Sequence, residues 1–129
     1  MSNKTKNCYY SKRHLWVEQL KGSHHAYIGM TDYLAETFSN LDCIDLPDVG
    51  EEFDVDTPLI HFHVGSKIYP FPVQLTGRVL EINKDMQSDL SLLFMDPEHN
   101  WLLKIEYDDP DEFDDLMDKK QYLNYLDEL

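Results

Sequence analysis

The chain has 129 residues, 28% charged and 42% hydrophobic, with a formal net charge of −14. That length suits one domain whose core removes about two thirds of the unfolded surface from water. The acidity argues against a nucleic-acid partner, because neutralising phosphates needs clustered Lys and Arg, and no apolar run approaches the ~20 residues of a membrane span.

The first residues, MSNKTKNCYYSKRH, carry charge but no hydrophobic segment, which argues against a secretory signal. Cys8 and Cys43 lack metal-ligand spacing and are too few for a disulfide framework, so both are expected to be reduced. A cytoplasmic protein is the expectation. Charge is uneven: from Asp96 onward twelve acids stand against Lys104, Lys119 and Lys120. Such acidity aids solubility and favours encounter with basic partner surfaces.

Residues 15–20, LWVEQL, predict a first strand, closed by the polar turn 21–25, with 26–30 as its hairpin partner. His24 and His25 are adjacent and point apart, which suits loop histidines better than metal ligands. Thr31 is placed to cap a helix over 31–39, with Asp32 where the helix dipole favours an acid and Leu34 and Phe38 on one face. Residues 43–46 predict a short strand and 47–50 a turn. The acidic stretch 51–57 predicts an exposed connection anchored inward by Phe53 and Val55. It lacks the spacing of a calcium loop, so a solvated edge is the better reading.

Residues 58–77, PLIHFHVGSKIYPFPVQLTG, are the stretch around which the chain is organised. The β-branched and aromatic run at 59–64 predicts a strand. Gly65-Ser66 predicts a type II′ hairpin turn, because Gly tolerates the positive φ that turn requires. Lys67 then becomes the first residue after the turn, and it is the only lysine between positions 22 and 83. Pro70 and Pro72 cannot donate ladder hydrogen bonds and predict an edge strand or a bulge. An exposed lysine beside a turn is most often simply solvated; the functional reading is a lysine presented for covalent modification. His61 and His63, two apart on a strand, share one face. Two imidazoles make half a metal site with no local third ligand, so no metal is assigned. They suit a partner surface or a pH-sensitive charge beside the hairpin.

Further on, 77–83 alternates, which predicts Leu80 and Ile82 facing the core and Val79 beside Glu81, with Gly77 at a turn or bulge. Residues 84–90 predict a loop or brief helix, and 101–107 the last strand, with Trp101 a core candidate. Asp108-Asp109-Pro110 stops it, and Pro110 suits a first helical turn. Phe113, Leu116, Met117, Tyr122, Leu123 and Leu126 recur at helical spacing, predicting one or two amphipathic C-terminal helices. Short strands with closely spaced turns indicate a small barrel or sandwich. No phosphate loop, nucleophile elbow or Ser-His-Asp order is evident, and no catalytic residue is assigned.

Four motifs in order carry a resemblance. Tyr10 through Val17 has a tyrosine, then His14 shortly before Trp16-Val17; Ile28 through Tyr33 reads IGMTDY; Leu46 through Gly50 reads LPDVG; and Asn100 through Ile105 reads NWLLKI, followed by Asp-Pro and an acidic tail. Together they resemble the H-protein of the glycine cleavage system from about Tyr10 to the end. The resemblance implies a mainly β, flattened barrel-sandwich hybrid of the lipoyl/biotinyl-carrier kind, with a short helix near 31–39 and C-terminal helices. Its expected limits are a tail at 1–9 and a single carrier domain at 10–129.

By the same resemblance, lipoate would be attached covalently to Lys67, presented by Gly65 and Ser66. The arm would shuttle an aminomethyl group between glycine decarboxylase (the P-protein) and an aminomethyltransferase (the T-protein). Dihydrolipoamide dehydrogenase would reoxidise it, after a lipoate ligase had installed it. The chain departs from the family at this hairpin. Aligned back from Gly77, the family's lysine column falls on Ser66, and His63 stands where the family has glutamate. The alternative is therefore an unmodified interaction or regulatory module of the same fold that has lost the arm.

Overall fold

The structure, a computed structural model, describes residues 7–129. Among the described residues, nine strands form two antiparallel sheets. In the larger, the order is β1 (Cys8–Tyr10), β2 (Leu15–Gln19), β3 (His25–Met30), β9 (Leu103–Tyr107), β8 (Gly77–Ile82) and β5 (Glu52–Phe53). The smaller runs β4 (Cys43–Asp45), β6 (Pro58–Val64), β7 (Lys67–Pro72). The sheets do not close into a barrel. One core takes side chains from both, among them Val17, Ile28, Val79 and Ile105 from the larger and Ile44, Ile60, Phe62 and Phe71 from the smaller. This is the flattened barrel-sandwich expected from the sequence.

Helix α1 (Asp32–Thr37) starts where Thr31 predicts, its hydroxyl accepting from the Leu34 N–H. Phe38 at its C-terminal cap packs edge-on against Phe62 and Tyr69, closing the core beneath the β6–β7 hairpin. After β8 comes α2 (Lys84–Ser88), the brief helix allowed for residues 84–90, and then α3 (Leu90–Met95), which the sequence pattern did not predict. Asp89 caps α3 by accepting from the Leu92 N–H. The chain closes with a 3₁₀ turn at Pro110–Asp115 and α4 (Lys119–Asp127), which opens on a reciprocal capping box between Asp118 and Gln121.

Several expectations need correction. Val79, expected beside Glu81, is buried at 1% exposure, whereas Leu80 is only half-buried and Ile82 alone packs against the core as expected. The cause is a bulge: Val79 pairs with Ile105 and Glu81 with the next residue back, Lys104, so Leu80 is an extra residue that resets the alternation. Val55 is exposed while Phe53 alone anchors its segment, in a short strand paired to β8. Trp101 is half-buried and precedes β9; Trp16 is the fully buried tryptophan. Leu123 is exposed, leaving Tyr122 to anchor α4. Cys8 and Tyr9, assigned to a tail, lie in β1, which pairs with β2.

Tyr122 docks α4 through a hydrogen-bond circuit whose direction proton counting fixes. Thr31 Oγ1 donates to the His14 carbonyl (3.0 Å), so its oxygen accepts from Tyr122 O–H (3.0 Å). Tyr122 oxygen in turn accepts from His14 Nδ1 (2.9 Å), which sets His14 as the Nδ1–H tautomer when neutral. Burial, aided by the Arg13 charge, lowers the His14 pKa below its ordinary value. Burial also pushes the Tyr122 phenol up to about 12. A histidine with a depressed folded pKa contributes stability that is present above the unfolded pKa of about 6.5 and lost as pH falls through the folded pKa. His14→Asn, which tolerates the φ of 69° there, should therefore show a shallower loss of melting temperature between pH 7.5 and 5.5 than the wild type. Parallel slopes would refute the assignment.

Candidate functional site: the β6–β7 hairpin

The hairpin is built as its residue types dictate. Val64 pairs with Lys67, leaving Gly65 and Ser66 as a two-residue turn. Gly65 has φ 60° while Ser66 stays at negative φ, the sign pattern of a type II′ turn. Ile60 and Phe62, at 0% exposure, face the core together with Phe71 across the strand pair. The outer row holds His61, His63, Ile68 and Pro70, so both histidines leave one face as the spacing predicts. β7 is an edge strand, which accommodates its two prolines, and the register shifts between Pro58 and Ile60. Arg13 covers that edge: its Nη2 donates to the Pro70 carbonyl at 2.8 Å, with the guanidinium over the Phe71 ring.

Lys67 continues the core-facing row but lies across from Val64, where the row runs out past the last buried residue. Its side chain is exposed. Its amine has no hydrogen-bond or ion-pair partner among the described residues. A primary amine on an exposed strand end, free of a carboxylate partner, suits covalent acylation. Ser66 occupies the second turn position and Lys67 the first place of the return strand, as the spacing of the sequence implies.

The two histidines differ in their surroundings. His63 Nε2 lies 2.6 Å from Asp45 Oδ2, an ion pair when the imidazole is protonated. His61, opposite Asp45 in register, is half-buried. No group of three or more His, Cys, Asp or Glu side chains comes together to hold a metal among the described residues. Sequence reasoning missed Asp42 and Asp45. Asp42 Oδ2 accepts from the Gly65 N–H at 2.6 Å, and the Asp42 N–H donates to the His63 carbonyl at 2.9 Å. The two residues reach the hairpin from β4 and the residue before it, a distance in sequence that no local pattern spans.

A family model described as glycine cleavage H-protein matches residues 8–129. The glycine cleavage system H protein 4 of Aquifex aeolicus is 34% identical over 122 residues, covering 94% of this chain and 70% of its own length. The glycine cleavage system H protein of a Thermoanaerobacter species is 39% identical over 123 residues, covering 93% and 94%. The crystal structure of a glycine cleavage system H protein from Mycobacterium marinum superposes with a TM-score of 0.78 at 18% identity, over 94% of this chain and 97% of that one. The last comparison supports the fold.

Proposed function

The chain belongs to the glycine cleavage H-protein family, and on that premise we propose that it is a carrier whose lipoyl group is attached to Lys67. The observation that carries the reading is the Lys67 amine, exposed and unpartnered beside a two-residue turn. Lys67 Nζ would hold lipoate through an amide to the lipoate carboxyl. When attached, the group supplies the dithiol–disulfide chemistry on which aminomethyl transfer depends. The protein's own residues hold the point of attachment. Gly65 and Ser66 turn the chain, Phe62 and Phe71 fix the hairpin base in the core, and Arg13 ties down β7. Tethering then raises the effective concentration of the arm at each partner's site without any catalytic side chain here.

The partners that follow are glycine decarboxylase, the aminomethyltransferase, dihydrolipoamide dehydrogenase and the installing ligase, in the cytoplasm. No helix among the described residues is long and apolar enough to cross a membrane. Exchange of labelled bicarbonate into glycine by a glycine decarboxylase tests the reading. The lipoylated chain should support exchange and Lys67→Arg should not, although both melt at the same temperature within about 2 °C, as exposed substitutions usually do. Exchange supported equally by Lys67→Arg would exclude Lys67.

One observation favours the second reading, an unmodified interaction module: Ser66, not a lysine, holds the second turn position. Under that reading the chain binds a glycine-cleavage enzyme yet gains no acyl group in the presence of ligase, lipoate and ATP.

A further inference from the structure

We propose that Asp42 is a positioning residue for the modification of Lys67, its carboxylate holding the Gly65–Ser66 turn in the form a modifying enzyme meets. The inference rests on the reading of Lys67 as the modified lysine. The last ladder pair of the hairpin is Val64 with Lys67, so the Gly65 N–H lies beyond the ladder. Asp42 Oδ2 supplies its acceptor at 2.6 Å, a charge-assisted bond. The Asp42 backbone grips the same strand again, donating to the His63 carbonyl at 2.9 Å. Asp42 therefore holds β6 on both sides of Val64. A third link, His63 Nε2 to Asp45 Oδ2 at 2.6 Å, ties the same residue of β6 to the end of β4.

The position of Lys67 makes such a tether consequential. A lysine one residue beyond the turn has its Cα–Cβ direction set by how the turn is rotated against the sheet, and its flexible side chain carries no such information. An acylating enzyme must read backbone and turn, and a turn free to rock presents the amine correctly for only part of the time. Fixing it before encounter removes that cost. The partner recognised is an acyltransferase that delivers a lipoyl adenylate to one lysine.

The test uses the full chain, a lipoate–protein ligase, lipoate and ATP, with hydrogen exchange at the Gly65 amide read in parallel. Asp42→Ala should lower kcat/KM for the protein substrate by about tenfold, the effect of losing one charge-assisted hydrogen bond. Gly65 exchange should accelerate in the same variant. Asp42→Asn, whose neutral amide oxygen still accepts a weaker bond, should fall between wild type and Asp42→Ala in both acylation and exchange, a partial rescue that a general loss of folding would not give. If wild type and Asp42→Ala are acylated alike, the positioning role is wrong while Lys67 stands. An equal loss in Asp42→Asn and Asp42→Ala also overturns it. If the wild type gains no acyl group at all, the Lys67 reading fails and takes this role with it.

Discussion

Trp16→Ala is expected to destabilise the protein by about 3–5 kcal/mol, the cost of emptying a large buried aromatic site, with a melting temperature lower by more than about 10 °C. Trp16 is 1% exposed and sits in a second apolar cluster with Cys8, Tyr10 and Tyr122, between the larger sheet and α4. Its indole N–H donates to the Pro97 carbonyl at 2.9 Å, so truncation removes that acceptor's partner as well as the ring. Gly29 on β3 lies directly opposite Trp16 in register, and an added Cβ there would strike the indole. The ring thus fills space that the neighbouring strand leaves for it. Trp101→Ala is the internal control. Trp101 is half-buried against Tyr27, so its loss should cost only about 1–2 kcal/mol. Equal losses at the two tryptophans would contradict this packing.

Gly77→Ala is expected to cost at least about 3 kcal/mol, at or above the upper end of ordinary overpacking. Gly77 is the first residue of β8, between Phe53 of β5 and Tyr107 of β9. A Cβ built there collides with the Glu106 carbonyl oxygen, which belongs to the adjacent strand and cannot swing aside as a side chain would. Relief requires parting β8 from β9 at the point where the larger sheet meets its edge. Gly22→Ala provides the contrast: Gly22 has φ 78° and nothing near the added Cβ, so it should cost about 1–2 kcal/mol of backbone strain alone. Chemical denaturation of both variants checks this. A Gly77→Ala midpoint indistinguishable from wild type would mean that the strands are looser than described.

The hairpin was legible because its signals are local. Gly65-Ser66 demands a particular turn, the alternation of 59–64 sets its faces, and the prolines mark an edge; each acts within a few residues. Thr31 as a helix cap and Pro110 as a first helical turn were legible for the same reason. What escaped depends on residues distant in sequence. The bulge at Leu80 arises from pairing with β9 and overturned the inward assignment of Leu80. The hydrophobicity of Val55 predicts an anchor, although Phe53 alone reaches the core. Of the two tryptophans in strand-like surroundings, only the facing glycine of β3 and α4 decide that Trp16 is enclosed. Asp42 and Asp45 looked like ordinary acids in an acidic protein, and their contacts with Gly65 and His63 exist only once β4 lies beside β6.

The carrier reading depends on Lys67 being a substrate for acylation one residue beyond the turn. Its most direct measurement is the intact mass of the chain after incubation with lipoate, ATP and a lipoate–protein ligase, alongside an H-protein that the same mixture modifies. The expected result is a gain of one lipoyl group, located on Lys67 by peptide mapping and absent from Lys67→Arg. An unchanged mass beside a fully modified control, or a lipoyl group on any other lysine, would contradict it.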